Sequence, residues 1–415
     1  MLKRGGYRKD FQHRIGLIRN IPPKTTKAQR IWFQAVSVGE VLAVGPLIEK
    51  LTHNENFEIV LTTTTSTGYR VARKTYKNAK PQVTVAIFPL DFWPFSSMAW
   101  NHIQPDLAVL MESELWPEHI HQARRRHVPI SLINGRISDR SFRRYAKIKA
   151  ISRYLLGQME NVLCATPQDQ ERLIALGAQS KTTHCLGSLK FDVAVDRRLT
   201  PEAIVTLKHK LGFYSKDGGS PLVILASSSW PGEEKIMLEA FETALESGID
   251  CRLLIVPRHA ERSAELQTLL KAQPRPWHLR SHSKKVPQPV MIHLADTTGE
   301  LKTLSQAADI AFIGKSLPPN VGGQTPIEAA AMGIPLIYGP NMNNFRQICQ
   351  NLEAAKAAQP IDTAQQLKAT LIELLKTPEK RNALSVAARQ WHRENQGATE
   401  KTFKILKTLL QQSQI

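Results

Sequence analysis

Ile31-Trp32-Phe33-Gln34-Ala35-Val36 runs directly into Ser37-Val38-Gly39-Glu40 and then into Val41–Leu51, where apolar residues recur at helical spacing. This reads as a β-strand, a turn and a helix. The unit repeats outward from there. Glu58–Thr62 precedes the Thr63–Ser66 turn and a helix through Tyr76, and Val83–Ile87, Leu107–Met111, Ile130–Ile133 and Val162–Ala165 each lead into a helical or turn segment. The pattern restarts at Leu222–Ala226, with further strands at Leu253–Val256, Met291–His293, Ile310–Ile313 and Pro335–Tyr338. Such alternation argues for an α/β chain of parallel sheets with helices on both faces. The intervening stretch Asp192–Pro221 holds Pro201 and the turn-forming residues 216–220. The linker is expected near its start, dividing the chain into domains 1–193 and 194–415. Two doubly wound, Rossmann-like domains are expected to face a central cleft, with ligands outside the carboxyl ends of the strands.

Composition narrows the class. Of 415 residues, 42% are hydrophobic and 22% charged, enough for full-sized cores and unlike a disordered chain. The four cysteines (Cys164, Cys185, Cys251, Cys349) form no CxxC, against a disulfide scaffold or zinc ribbon. No apolar run approaches the roughly 18–20 residues of a membrane span, and the first residues lack a secretory apolar region.

The formal net charge is +19. Residues 1–30 carry nine Lys/Arg against Asp10, and residues 121–154 carry ten against Asp139. The plain reading is a solvated basic face. The sharper one is a docking face for anionic lipid or lipid phosphate. No stacking motif or zinc finger supports nucleic acid.

Candidate chemistry clusters at strand ends. Gly39 allows close backbone approach, and Glu40, in the first helical turn, suits a general base toward a sugar hydroxyl or simply complements the helix dipole. Glu112 and Glu114 lie beside Trp116 in Met111–Pro117, either as mutually perturbed carboxylates or as caps. Lys190, in Gly187–Asp192, can neutralise a phosphate or sugar carboxylate, or be an ordinary surface lysine. In the second half, Arg258 after LLIV can grip an anion. The turn Ala226–Glu234, with Ser227 and Ser228, suits anion binding by backbone N–H groups or is an N-cap. Thr298-Gly299-Glu300 and Thr325-Pro326-Ile327-Glu328 open helices, and Glu328 can accept both hydroxyls of a ribose. Gly314-Lys315-Ser316 fails as a Walker A tail, because Asp309 stands where glycine is required. No GxGxxG follows the first strand, against a dinucleotide cofactor.

In order and spacing these motifs resemble the 3-deoxy-D-manno-oct-2-ulosonic acid (Kdo) transferases. The match includes Tyr7-Arg8-Lys9 with Arg14 and Gly16, AVSVGE at 35–40, ESELWP at 112–117, NGRISDRS at 134–141, GSLKFD at 187–192, PRH at 257–259, GEL at 299–301, GGQTPIE at 322–328 and GPNMNNF at 339–345. The resemblance implies a GT-B fold with an acceptor domain and a donor domain, the last helix often crossing back to the first. It implies inverting transfer of Kdo from CMP-Kdo to a lipid A precursor, without cofactor or essential metal. The setting it implies is peripheral, at the cytoplasmic face of a bacterial inner membrane. It places the base on Glu40, transition-state stabilisation on Glu112 (or Glu114) and Lys190, and CMP contacts on Pro257, Arg258, Thr298–Glu300 and Thr325–Glu328. Gly39 and Arg136 fall on the acceptor side, and Ser227, Ser228 and Lys315 near the donor phosphate.

The chain departs from the family pattern at Lys315 (usually Gly), at Gln324-Thr325-Pro326-Ile327-Glu328 (usually His-Asn-Pro-Leu-Glu), at Thr298 (usually Met) and at Ser188 (usually Asn). The family usually carries an apolar anchor ahead of the Tyr7-Arg8-Lys9 motif; as none precedes it in this sequence, membrane contact is expected to be peripheral, through the basic N-terminal segments, unless the start is assigned too late. The rival readings are a GT-B transferase for another nucleotide sugar, which the departures favour, a sugar-nucleotide epimerase, and a non-catalytic lipid-binding relative.

Overall fold

The computed structural model describes residues 10–25, 28–53, 56–76, 82–193, 198–215, 219–283, 286 and 288–412. Tyr7, Arg8 and Lys9, the basic Lys3, Arg4 and Lys27, and the start of the expected linker lie outside the described residues. The chain divides into two compact units, Met1–Val193 with Asn395–Ile415, and Ala194–Glu394. The last helix, Ala398–Gln412, therefore belongs to the first unit, and the second ends before it.

The first unit is built on seven parallel strands: β1 Gln29–Gln34, β2 Phe57–Thr63, β3 Val83–Ile87, β4 Leu107–Met111, β5 Ile130–Gly135, β6 Asn161–Cys164 and β7 Thr183–Cys185. Their order is β3-β2-β1-β4-β5-β6-β7. Strand side chains alternate between faces. Ile31 and Phe33 of β1 join the core under the helix Val38–Thr52, whereas Trp32 joins Phe88 and Trp100 on the other face. Burial on both faces explains why Ile31, Trp32 and Phe33 are apolar in succession rather than in alternation. Leu406 and Leu410 of the last helix complete the first of these cores.

The second unit repeats the plan with β8 Leu222–Ser229, β9 Cys251–Pro257, β10 Trp277–Leu279, β11 Ile292–Leu294, β12 Ile310–Ile313, β13 Leu336–Tyr338 and β14 Ala358–Pro360. The order is β10-β11-β9-β8-β12-β13-β14. Strand order reverses between β1 and β4 in one sheet and between β8 and β12 in the other. Such switch points open a crevice at the carboxyl edge. Among the described residues no helix is long and apolar enough to cross a membrane.

Candidate active site

Glu40 and Glu112 follow the two strands that flank the first switch point, β1 and β4. Ser37 caps the helix Val38–Thr52, its hydroxyl accepting the Glu40 N–H at 3.4 Å. The Glu40 carboxylate reaches back to accept the Val36 N–H at 2.8 Å and the Ser37 hydroxyl at 3.0 Å. This is a variant of the capping box, so Glu40 does serve its helix. It is also a buried member of a charged cluster. Burial and the Glu112 charge raise its pKa against the two hydrogen bonds and Lys190, which lower it. A Cβ added at Gly39 would meet only Ser37 Oγ, at 3.8 Å, so packing within the chain does not demand this glycine.

Glu112 adopts a left-handed backbone (φ 55°), uncommon for a residue with a side chain. Its Oε1 accepts a hydrogen bond from Lys190 Nζ at 2.7 Å, at the start of the short helix Lys190–Val193 that follows β7. Asn134, at the end of β5, binds both neighbours. Its amide contacts Glu112 Oε1 at 3.4 Å, and its carbonyl oxygen accepts the Leu189 N–H at 3.1 Å. Asn134 was not singled out from sequence. The available signal was its place before Gly135, since asparagine tolerates the left-handed conformation it adopts (φ 50°). The Arg136 N–H contacts the Glu112 carbonyl at 3.4 Å. Glu114 completes the cluster, with burial and the Glu40 charge pushing its pKa up to about 7. Three carboxylates and one lysine thus gather at one carboxyl edge, where a proton can be taken from an incoming hydroxyl.

In the second unit, Pro257 closes β9 and Arg258 is exposed just beyond it. The charges of Lys302 and Arg258 draw down the pKa of Glu328, which burial raises more strongly. Lys302 is a further residue that sequence reasoning missed. Thr298 and Gly299 are exposed, but the Glu300 carboxylate is held by Arg280 at 2.7 Å and by the Thr297 hydroxyl. Pro326 and Ile327 are buried, and the Thr325 hydroxyl accepts the Ile327 N–H at 3.3 Å.

At the second switch point the Glu233 carboxylate accepts one backbone N–H of the turn Ala226–Glu234, that of Trp230 (2.9 Å), and three of the loop after β12, those of Lys315 (2.8 Å), Ser316 (2.9 Å) and Leu317 (3.2 Å). Ser227 is buried, and Ser228 sits in a left-handed turn (φ 52°). The Lys315 side chain instead stands with Nζ 4.3 Å over the Trp230 ring. Among the described residues no group of three or more His, Cys, Asp or Glu is placed to hold a metal ion.

Two Rossmann-like units, each a parallel seven-stranded sheet with charged groups at its carboxyl edge, place the chain in the GT-B fold class. Solved structures agree in fold. A putative UDP-N-acetylglucosamine 2-epimerase from Listeria monocytogenes superposes with a TM-score of 0.62 at 14% identity, covering 93% of this chain and 97% of that one. The UDP-GlcNAc 2-epimerase from Neisseria meningitidis does so at 0.62 and 13%, covering 92% and 100%. At such identities the likeness is one of fold alone. Residues 9–193 match the family model for 3-deoxy-D-manno-octulosonic-acid transferase, and residues 234–391 that for glycosyl transferases group 1. A 3-deoxy-D-manno-octulosonic acid transferase of Bordetella pertussis is 34% identical over 92% of this chain and 88% of its own length. That of Haemophilus influenzae is 32% identical over 98% and 93%. The chain belongs to the 3-deoxy-D-manno-octulosonic acid (Kdo) transferase family and is a glycosyltransferase.

Proposed function

We propose that this enzyme moves Kdo from CMP-Kdo to a sugar hydroxyl of a lipid A precursor, with inversion at the anomeric carbon. Glu40 takes the hydroxyl proton. The acceptor oxygen bonds to the anomeric carbon as its bond to the CMP phosphate breaks, and CMP leaves with that electron pair. Glu112, held by Lys190, faces the positive charge developing on the sugar ring, where preorganised charge is most effective. In the second unit, Arg258, Lys302 and Lys315 offer charge to the departing nucleotide, and Glu328 a hydroxyl acceptor. The basic stretches favour peripheral attachment to an anionic membrane, which the reading places at the cytoplasmic face of the inner membrane.

The observation that carries the reading is the Glu112–Lys190 pair at 2.7 Å beside Glu40, whose pKa burial and the Glu112 charge raise. The test is transfer by the purified enzyme to lipid A precursor, with CMP-Kdo generated in situ, read by intact-lipid mass spectrometry. A Kdo mass gain that disappears in Glu40→Ala is expected. No gain with the donor confirmed present would overturn the donor or acceptor assignment. Lys315, a departure beside the switch point, favours one second reading, another nucleotide sugar. Tighter binding of UDP than of CMP would select it.

A further inference from the structure

Glu112 and Asn134 both take the left-handed backbone, at φ 55° and 50°. They are also neighbours. β4 and β5 pair in parallel with Met111 opposite Ile133, and Glu112 and Asn134 come next along the chain. The Glu112 N–H donates to the Ile133 carbonyl at 3.1 Å, while β5 loses its register with β6 between Leu132 and Gly135. Two adjacent residues that carry side chains are thus held in an uncommon conformation at one carboxyl edge. Irregular strand ends of this kind re-aim side chains. Here the side chain is a carboxylate. Glu112 Oε1 accepts Lys190 Nζ at 2.7 Å and the Asn134 amide at 3.4 Å, whereas Oε2 has no hydrogen-bond partner among the described residues. The carbonyl oxygen of Asn134 accepts the Leu189 N–H at 3.1 Å. That bond fixes which end of the amide meets Glu112. Asn134 is 2% exposed, so its own hydrogen bonds are shielded from water.

We infer that Asn134 is a positioning residue for the transfer reaction. With Lys190 it occupies Glu112 Oε1 and leaves Oε2 to face the sugar, and through Leu189 it holds the start of the helix Lys190–Val193. The inference rests on the transfer reading above, in which Glu112 meets the positive charge that develops on the sugar ring. Such charge is stabilised best by an oxygen that is already in place. Asparagine suits the position on three counts. It tolerates the left-handed backbone, it donates at one end, and it accepts at the other. Aspartate would keep the backbone and the acceptor but set a second negative charge against Glu112. Glycine would keep the backbone and lose both bonds. The amide stands a long 3.4 Å from Glu112, as catalytic hydrogen bonds often do before substrate is bound.

The test compares Asn134→Gly and Asn134→Asp with the parent in two measurements on the full chain. Hydrogen exchange read by mass spectrometry needs no substrate. Peptides containing Leu189 should exchange several-fold faster in Asn134→Gly and nearer the parental rate in Asn134→Asp, which keeps the acceptor. Transfer kinetics come second. In both variants kcat should fall about 10–100-fold while the KM for the donor stays within about twofold. Made in a Glu112→Gln background, Asn134→Gly should cost less than about threefold, because the group it positions is already altered. A parental exchange rate in Asn134→Gly overturns the inference. So does a loss that is as large in the Glu112→Gln background as in the parent, or a KM that rises while kcat is kept. A parent that transfers no Kdo, with the donor confirmed present, overturns the transfer reading and this inference with it. A parent that transfers, with losses that simply add, overturns the inference alone.

Discussion

Lys190 Nζ stands 2.7 Å from Glu112 Oε1, although 78 residues separate the two in the chain. The pair joins the helix Lys190–Val193, after β7, to the turn after β4, with Asn134 of β5 bracing both sides. It also bears on how Glu40 titrates. Glu112 raises the Glu40 pKa and Lys190 lowers it, while burial exerts the largest upward effect.

A base acts when ionised, so kcat/KM should fall as pH drops through the raised Glu40 pKa. In Glu112→Gln a like charge is gone, and this acid limb should move to lower pH. In Lys190→Met a cation is gone, and the limb should move to higher pH. Each change should also reduce kcat by roughly 10²-fold. Limbs that stay in place would remove Glu40 as the base.

Glu114 makes a stability prediction. Its folded pKa of about 7 lies above its ordinary value of 4.5. The protonated form is thus favoured by folding, and its contribution is full below pH 4.5 and lost as pH rises through 7. Discounted for partial exposure, the effect is on the order of 1–2 kcal/mol. Glu114→Gln should gain that much on the parent between pH 5 and pH 8 in denaturant titrations. Parallel curves would contradict the shift.

Asp192 holds the last helix from a distance. Its carboxylate accepts the Gly397 N–H at 2.8 Å and the Thr399 N–H at 2.6 Å. Asp192→Ala leaves both donors without this partner and should destabilise the first unit by about 1–3 kcal/mol. Asp192→Asn, which keeps one acceptor, should lose less. Limited proteolysis should then cut first between residues 394 and 400, and equal resistance in parent and alanine variant would refute the tether.

Lys315 occupies a left-handed position (φ 61°) that a glycine would take without strain. Lys315→Gly relieves that strain and adds chain entropy, so stability should change by less than about 1 kcal/mol. The KM for the donor should rise several-fold with kcat nearly unchanged, the signature of lost uniform binding. An unaltered KM would exclude a contact from Lys315 to the donor phosphate.

The two sheets were legible because eleven of their strands carry apolar runs bounded by turn residues. The three that were not read, β7, β10 and β14, each have only three residues and lie at sheet edges. β11 and β13 are as short but buried throughout, whereas these three are partly exposed and offer no buried apolar run. Glu40 was legible for a related reason. Ser37, Gly39 and Glu40 are contiguous, and capping is a contact across three residues.

Asn134 and Glu233 belong to another category. Each looks ordinary beside its sequence neighbours, and each acquires its role from groups far along the chain. Glu233 reads as a first-turn acid, yet it accepts three N–H groups from the loop after β12. The period of apolar residues acts through neighbours a few positions apart, so the order of strands and helices was settled locally. Ionisation and hydrogen bonding depend on burial and on whichever charges folding brings close. Only the assembled sheets, with β1 and β4 side by side and β7 at the edge, made one cluster of Glu40, Glu112, Glu114 and Lys190. The placement of Ala398–Gln412 in the first unit was decided the same way, by Asp192 and a shared core rather than by anything in the helix itself.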